Sequence, residues 1–363
     1  AWCCVSAILP ISPVPSAADH IGRIIDAADN EQVRFDHFMN EALYGAHGFY
    51  TSGVGRAGRR GDFITSPEIG PLFGTVIARA LDAWWRDMGS PDDFHIYDVG
   101  AGPGGLARAV IAAQPDCLAG DVSRYVCVEI GEAQWATHPT GVTSMKSLPD
   151  GELRGVVLAN ELLDNLPFRL LVCDGVWREA WVTHRAGAFS EVLYPLSDEP
   201  AFALPTKPIL GARIPWQQAA SQWVSDILSR LNGRLVVIDY AVPLTAELAQ
   251  RPWRDWLRTY AGHEKGAHYL RNVGAQDITT DVCIDQIIAT CGQPDSVRSQ
   301  SQFLQLWGID ELVEEGKRIW NEESARPGLR AMKMRSRISE SEALLDPNGV
   351  GGFTVMEWTK LQR

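Results

Sequence analysis

Four short apolar runs constrain this chain most: Phe94 to Val99 (FHIYDV), Arg124 to Ile130 (RYVCVEI), Arg154 to Asn160 (RGVVLAN) and Gly233 to Tyr240 (GRLVVIDY). Each lacks the apolar/polar alternation of a strand with one wet face, and each is bounded by Gly, Pro or Asp. Runs of this kind are buried on both sides, as in a parallel sheet covered by helices. The expected fold class is α/β, with a doubly wound, mostly parallel sheet. Helical periodicity fills the gaps between runs. Ahead of the first, Thr65-Ser66-Pro67-Glu68 reads as a helix start with an N-cap, a first-turn proline and an acid at the positive dipole end. Ile69, Leu72, Phe73, Val76, Ile77, Ala80, Leu81, Trp84 and Trp85 then form the apolar face of a five-turn helix.

The chain has 363 residues, 45% of them hydrophobic, which is enough for a large core. Its 33 basic and 45 acidic side chains give a net charge of -12, the wrong sign for affinity drawn from phosphates, so no nucleic-acid partner is expected. Seven scattered cysteines without a C-x-x-C pair read as reduced thiols of a cytoplasmic protein, and the eight histidines do not cluster with them, so no metal is implied. The stretch AWCCVSAILPISPVP has no basic residue, is broken by Pro10, Pro13 and Pro15, and is too short to span a membrane. Residues 1–16 are read as a disordered arm, 17–90 as a helical extension and 91–363 as the main domain, with inserted elements at about 168–215 and 253–280. Within the first insertion, Asp174-Gly175 marks a hairpin inside Phe168 to Thr183. Helical character is expected from Phe303 to Trp320 and a last strand from Phe353 to Trp358.

Between the first run and the next helix lies Asp98-Val99-Gly100-Ala101-Gly102-Pro103-Gly104-Gly105. Its glycines let the backbone turn sharply and approach a ligand. Gly100, Gly102 and Gly105 fit a dinucleotide fingerprint, while Asp98, Gly100, Gly102 and Gly104 fit the loop of S-adenosylmethionine-dependent methyltransferases. Glu129, ending the second run, suits the ribose of either cofactor. Asp98 favours adenosylmethionine, because a carboxylate complements a cationic amino-acid end and is unhelpful beside a pyrophosphate.

Longer strings carry a family resemblance. Gly61-Asp62-Phe63-Ile64-Thr65-Ser66-Pro67-Glu68, the DVGAGPGGLA loop, Ala159-Asn160-Glu161-Leu162-Leu163-Asp164-Asn165-Leu166-Pro167, Ile238-Asp239-Tyr240 and Gln276-Asp277-Ile278-Thr279 resemble the MidA-like methyltransferases. The resemblance implies a class I methyltransferase fold with S-adenosylmethionine as cofactor. One mitochondrial member methylates an arginine of a complex I subunit, so it also implies an arginine of a partner protein as acceptor. A respiratory complex I subunit is one such partner, the mitochondrial matrix the location in a eukaryote, and a homodimer is allowed. The chain departs from the family where ANEFFDALP reads ANELLDNLP, and where Gly-Thr-Leu-Arg reads Asp255-Trp256-Leu257-Arg258.

Methylation of a guanidinium calls for carboxylates, because that group stays charged and a carboxylate fork orients it. Glu161 and Asp164, directly after the Arg154 to Asn160 run, are the expected acceptor-facing pair, with Asp62 as a third candidate. Asp98, Gly100, Ala101, Gly102, Gly104, Glu129 and Asn160 are the expected cofactor contacts. Glu68 is read as a complement to the helix dipole, and Tyr50, Phe63 and Tyr240 as packing or stacking aromatics. A small-molecule O- or N-methyltransferase would instead want a base such as His263 or His268. A catalytically idle assembly chaperone of the same fold, and a nicotinamide dehydrogenase, are the remaining readings.

Overall fold

The computed structural model describes residues 16–52, 65–261, 264–326 and 328–361. Residues 1–15 and the candidates Asp62, Phe63 and His263 lie outside the described residues. Ser16, assigned to the arm, is instead the N-cap of the first helix, where it forms a reciprocal capping box with Asp19.

Seven strands make the central sheet: β1 His95–Val99, β2 Tyr125–Val128, β3 Thr143–Met145, β4 Leu153–Asn160, β5 Leu231–Asp239, β6 Ser296–Ser299 and β7 Thr354–Lys360. Their order is β3-β2-β1-β4-β5-β7-β6. The pairs from β3 to β5 are parallel, while β7 is antiparallel to both β5 and β6. The four apolar runs are β1, β2, β4 and β5. Ile96 and Val156 enter one core and Tyr97 and Val157 the other, so both faces need apolar residues and no alternation can survive. Glycines let the middle strands close up: a Cβ on Gly155 would lie 2.1 Å from the His95 carbonyl oxygen, and one on Gly233 1.8 Å from that of Gly155.

Among the described residues the helices of seven residues or more are α1 Ala17–Ala27, α2 Phe35–Tyr44, α3 Pro71–Asp87, α4 Gly105–Ala112, α5 Gln218–Arg230, α6 Ile284–Cys291, α7 Gln300–Leu306, α8 Ile309–Glu323 and α9 Leu329–Leu345. The continuous five-turn helix expected from Thr65 is broken. A single turn, Ser66–Ile69, ends at Gly70, and α3 restarts at Pro71. Proline has no N–H and its ring clashes with the preceding turn, so it can open a helix but not continue one. Glu340 of α9 accepts the Leu72 amide at 2.8 Å and so satisfies one donor of the new start. The helix expected from Phe303 likewise divides at Gly308, whose φ is 84°.

A second sheet carries residues 32–34, 169–173, 177–185, 188–195 and 213–216. The hairpin at Asp174-Gly175 is present, with Cys173 opposite Trp177. Phe35 and Phe38 of α2, Leu170, Ile214, Trp256 and Ile278 share one core, so α1, α2 and both insertions build a single lobe. The stretch 17–90 is thus shared between two cores. Its later helix, α3, packs on α4 beside the central sheet, closely enough that a Cβ on Gly74 would meet the Ala109 Cβ at 2.3 Å.

Candidate functional site

A cavity of about 490 Å³ opens at the carboxyl ends of β1, β2 and β4, the edge where open α/β sheets keep their ligands. The glycine loop forms one wall. Gly100 and Gly102 have φ of 75° and 52°, conformations that side chains resist, and a Cβ on Gly100 would press on Leu162 Cδ1 at 3.1 Å. The Gly100 amide donates to the Val128 carbonyl at 2.9 Å, tying the loop to the end of β2. Glu129 completes the tie: its Oε2 accepts the Gly102 amide at 2.9 Å and its Oε1 the Gly131 amide at 2.7 Å. Burial pushes its carboxyl upward, against those two amides.

Asp98 lines the floor beneath the loop. It is 3% exposed, accepts the Tyr125 hydroxyl at 3.0 Å, and burial pushes its pKa to about 7. Such a carboxylate gains most from a cation brought into the cavity. Asn160 lines the cavity as well, and its side-chain Oδ1 is buried without a hydrogen-bond partner.

Glu161 follows in an unusual backbone conformation, φ 52° without being glycine, held by its amide donating to the Ile238 carbonyl at 2.8 Å. Strain of this kind persists only where the surroundings enforce it and is common at working sites. Burial, with Asp164 and Glu68 adding repulsion, raises the Glu161 pKa to about 8. Glu68 lines the same cavity, brought there by the single turn before Gly70. Sequence alone assigned it to the helix dipole, and only the break at Pro71 shows that it faces the site.

The expected pair Glu161 and Asp164 is parted. Asp164 is 3% exposed and absent from the cavity lining. Its carboxylate takes hydroxyls from Tyr240 and, at 2.5 Å, from Thr279. Behind it, Asp239 accepts the Leu163 and Asp164 amides at 3.0 and 3.3 Å. Asp277 accepts the Tyr50 hydroxyl and the Asn165 side-chain Nδ2, each at 3.0 Å, and burial lifts its pKa to about 7. Arg258 lies over the Tyr240 ring at 4.6 Å and pairs with Asp281 at 2.8 Å. The short helical turn Leu163–Asn165 swings Asp164 to the back of the wall while Glu161 stays at its front.

Asp98, Gly100, Ala101, Gly102, Glu129 and Asn160 all line the cavity. Gly104 does not: it is the left-handed N-cap of α4, and a Cβ there would meet His138. Tyr50 lines the cavity and stacks on Tyr44, a residue no motif announced. Tyr240 serves Asp164 instead. His268 packs against Trp253 and Tyr269, and no histidine is among the described lining residues. No group of residues that could hold a metal ion is found among the described residues.

A sequence profile described as "Putative S-adenosyl-L-methionine-dependent methyltransferase" matches residues 76–301. The chain is similar to the mitochondrial protein arginine methyltransferase NDUFAF7 of Danio rerio, at 24% identity over 326 residues, 76% of this chain and 73% of the fish protein. It is 30% identical over 176 residues to the mitochondrial NDUFAF7 homolog of Drosophila melanogaster, a match spanning 40% of each chain. Among solved structures, a Burkholderia thailandensis protein bound to S-adenosyl-homocysteine superposes with a TM-score of 0.80 and 25% identity, covering 96% of this chain and 95% of that one. With a profile matched across most of the central sheet, and a glycine loop and cavity at the expected edge, this chain belongs to that family of S-adenosyl-L-methionine-dependent methyltransferases.

Proposed function

We propose that this protein is a class I methyltransferase that transfers a methyl group from S-adenosylmethionine to an arginine side chain of a partner protein. The observation that carries the reading is the placement of Glu161 and Glu68 on the wall of the cavity that the glycine loop closes from the other side. That cavity is lined by Glu68, Asp98, Glu129, Glu161 and Asp226, with Lys146 and Arg230 as its only cations among the described residues. The relatives named as mitochondrial arginine methyltransferases support the same acceptor, and a matrix location in a eukaryote.

The residues present fit the cofactor. The loop leaves no side chain at Gly100 and Gly102, Glu129 keeps a lone pair on each oxygen beyond its two amides, and Asn160 offers a buried acceptor without a partner. Glu129 would hold the ribose, and Asp98 and Asn160 the cationic amino-acid end. When bound, the cofactor supplies an electrophilic methyl group on a sulfonium. The protein's task is then to aim one guanidinium nitrogen, exclude water and remove a proton. A guanidinium entering the cavity pairs with Glu161 and Glu68, and its charge draws the Glu161 pKa down from about 8 into the ionised range. For each methyl gained, the guanidinium releases one proton, and Glu161 is the base within the cavity to take it.

The test is transfer of radiolabelled methyl from adenosylmethionine to arginine-containing peptides, with hydrolysis and amino-acid analysis of the product. Label in methylarginine supports the reading. Label confined to small molecules of a lysate, or to another side chain, overturns it.

A further inference from the structure

A second cavity, of about 900 Å³, lies beside the first and has no part in the chemistry above. The two are strung along the same three elements. On α2, Tyr44 lines the first cavity while Asn40 and Glu41 line the second, one helical turn away. Along the chain after β4, Asn165 and Leu166 face the first and Pro167 the second. On α5, Trp223 and Asp226 face the first and Ala219 and Gln222 the second. A turn of helix rises about 5.4 Å, and an extended peptide covers that distance in about two residues, which is also its side-chain repeat.

The second cavity has an apolar floor of Phe38, Phe202 and Trp216 under the acids Asp36, Glu41 and Glu199, of which Asp36 is paired with Arg34 at 2.7 Å. Its one lining cation among the described residues is Arg169, and that charge is not on offer. Arg169 is 1% exposed, lies over the Trp216 ring at 3.8 Å, and donates to Glu179, Asp198, Ser197 and Gln218. A cavity with an apolar floor, an acidic rim and a neutralised cation favours a ligand that is apolar and basic.

We infer that this second cavity is a docking groove for the stretch of partner protein flanking the acceptor arginine, an extended segment with apolar and basic residues about two positions from it. The inference rests on the arginine reading for its geometry. The groove gives affinity and register, and the acids of the first cavity act on the guanidinium alone.

The test uses the full chain with S-adenosyl-homocysteine and fluorescein-labelled ten-residue peptides, read by fluorescence anisotropy. One peptide carries a central arginine with leucine and lysine two residues to either side, and the other has glycine at those positions. The flanked peptide is expected to bind at least tenfold tighter. Ala219→Trp, which fills the groove, and the double variant Glu41→Gln with Glu199→Gln are expected to erase that advantage. Both should raise KM for the flanked peptide about tenfold and leave kcat at the wild-type value. Equal binding of the two peptides, or an advantage that survives both variants, overturns the inference. So does a wild-type dimer that Ala219→Trp splits, because the groove would then hold a second copy of this chain. Flank-dependent binding without any methyl transfer would leave the groove standing and defeat the arginine reading instead.

Discussion

Asn160 donates through its side-chain Nδ2 to Glu161 Oε1 at 3.1 Å, joining two residues that line the same cavity. That bond favours the ionised carboxylate and opposes the burial that lifts Glu161 to about 8. In Asn160→Leu the donor is gone, so the Glu161 pKa rises further. The pH–rate profile of methyl transfer is expected to reach its plateau at higher pH than in the wild type, measured at saturating cofactor.

Glu161→Gln keeps size and hydrogen bonding and removes the charge. Methyl transfer should fall by two or more orders of magnitude while affinity for S-adenosyl-homocysteine stays near wild type, the pattern of a contact made with the acceptor alone. Calorimetry and radiolabel transfer on one preparation read both. A normal rate would show that the acceptor does not need the carboxylate.

Three buried carboxyls make stability depend on pH. Glu161 is raised from 4.5 to about 8, and Asp98 and Asp277 from 3.8 to about 7, all chiefly by burial. The folded state therefore holds protons that the unfolded chain releases. The stability this contributes is full below about pH 4 and is lost as pH rises toward 8. The ligand-free melting temperature is expected to fall between pH 5 and pH 8.5, and to fall less steeply in Glu161→Gln. A rise over that interval would mean the carboxyls are already charged at pH 5.

Glu129→Ala removes a proposed ribose contact and also frees the Gly102 and Gly131 amides. A lost hydrogen bond to a charged group costs about 1.5 to 3 kcal/mol, so cofactor affinity should drop roughly ten- to a hundredfold. Catalysis at saturating cofactor should persist. An unchanged dissociation constant would remove Glu129 from the cofactor site.

Asp164 tests the division of the wall. Asp164→Ala removes the carboxylate that accepts both the Tyr240 and the Thr279 hydroxyl; the two hydroxyls still bond to each other, so one buried donor loses its acceptor, at about 1 to 3 kcal/mol, and the denaturation midpoint should fall. Asp164→Asn keeps an acceptor and should retain most of the stability and activity. If Asp164→Asn is instead as inactive as Glu161→Gln, the two carboxylates share the acceptor after all.

The four central strands, the glycine loop and the places of Glu129 and Glu161 on the cavity wall were legible in the sequence because each depends on residues close together in the chain. Continuous apolar runs report burial on two faces, and a glycine spacing reports a tight turn. The profile match falls on the same region. The placements of Asp164, Glu68 and Tyr44 were not legible, because they depend on contacts between distant segments. Asp164 turns away because Tyr240 and Thr279, 76 and 115 residues further on, offer it hydroxyls. Glu68 reaches the cavity because Glu340, contributed by the last long helix, caps the restart at Pro71. Sequence by itself determined the sheet and the cofactor loop, where local pattern and burial coincide. Only the tertiary structure decided which acids line the cavity, because a buried carboxylate settles where distant donors can satisfy it.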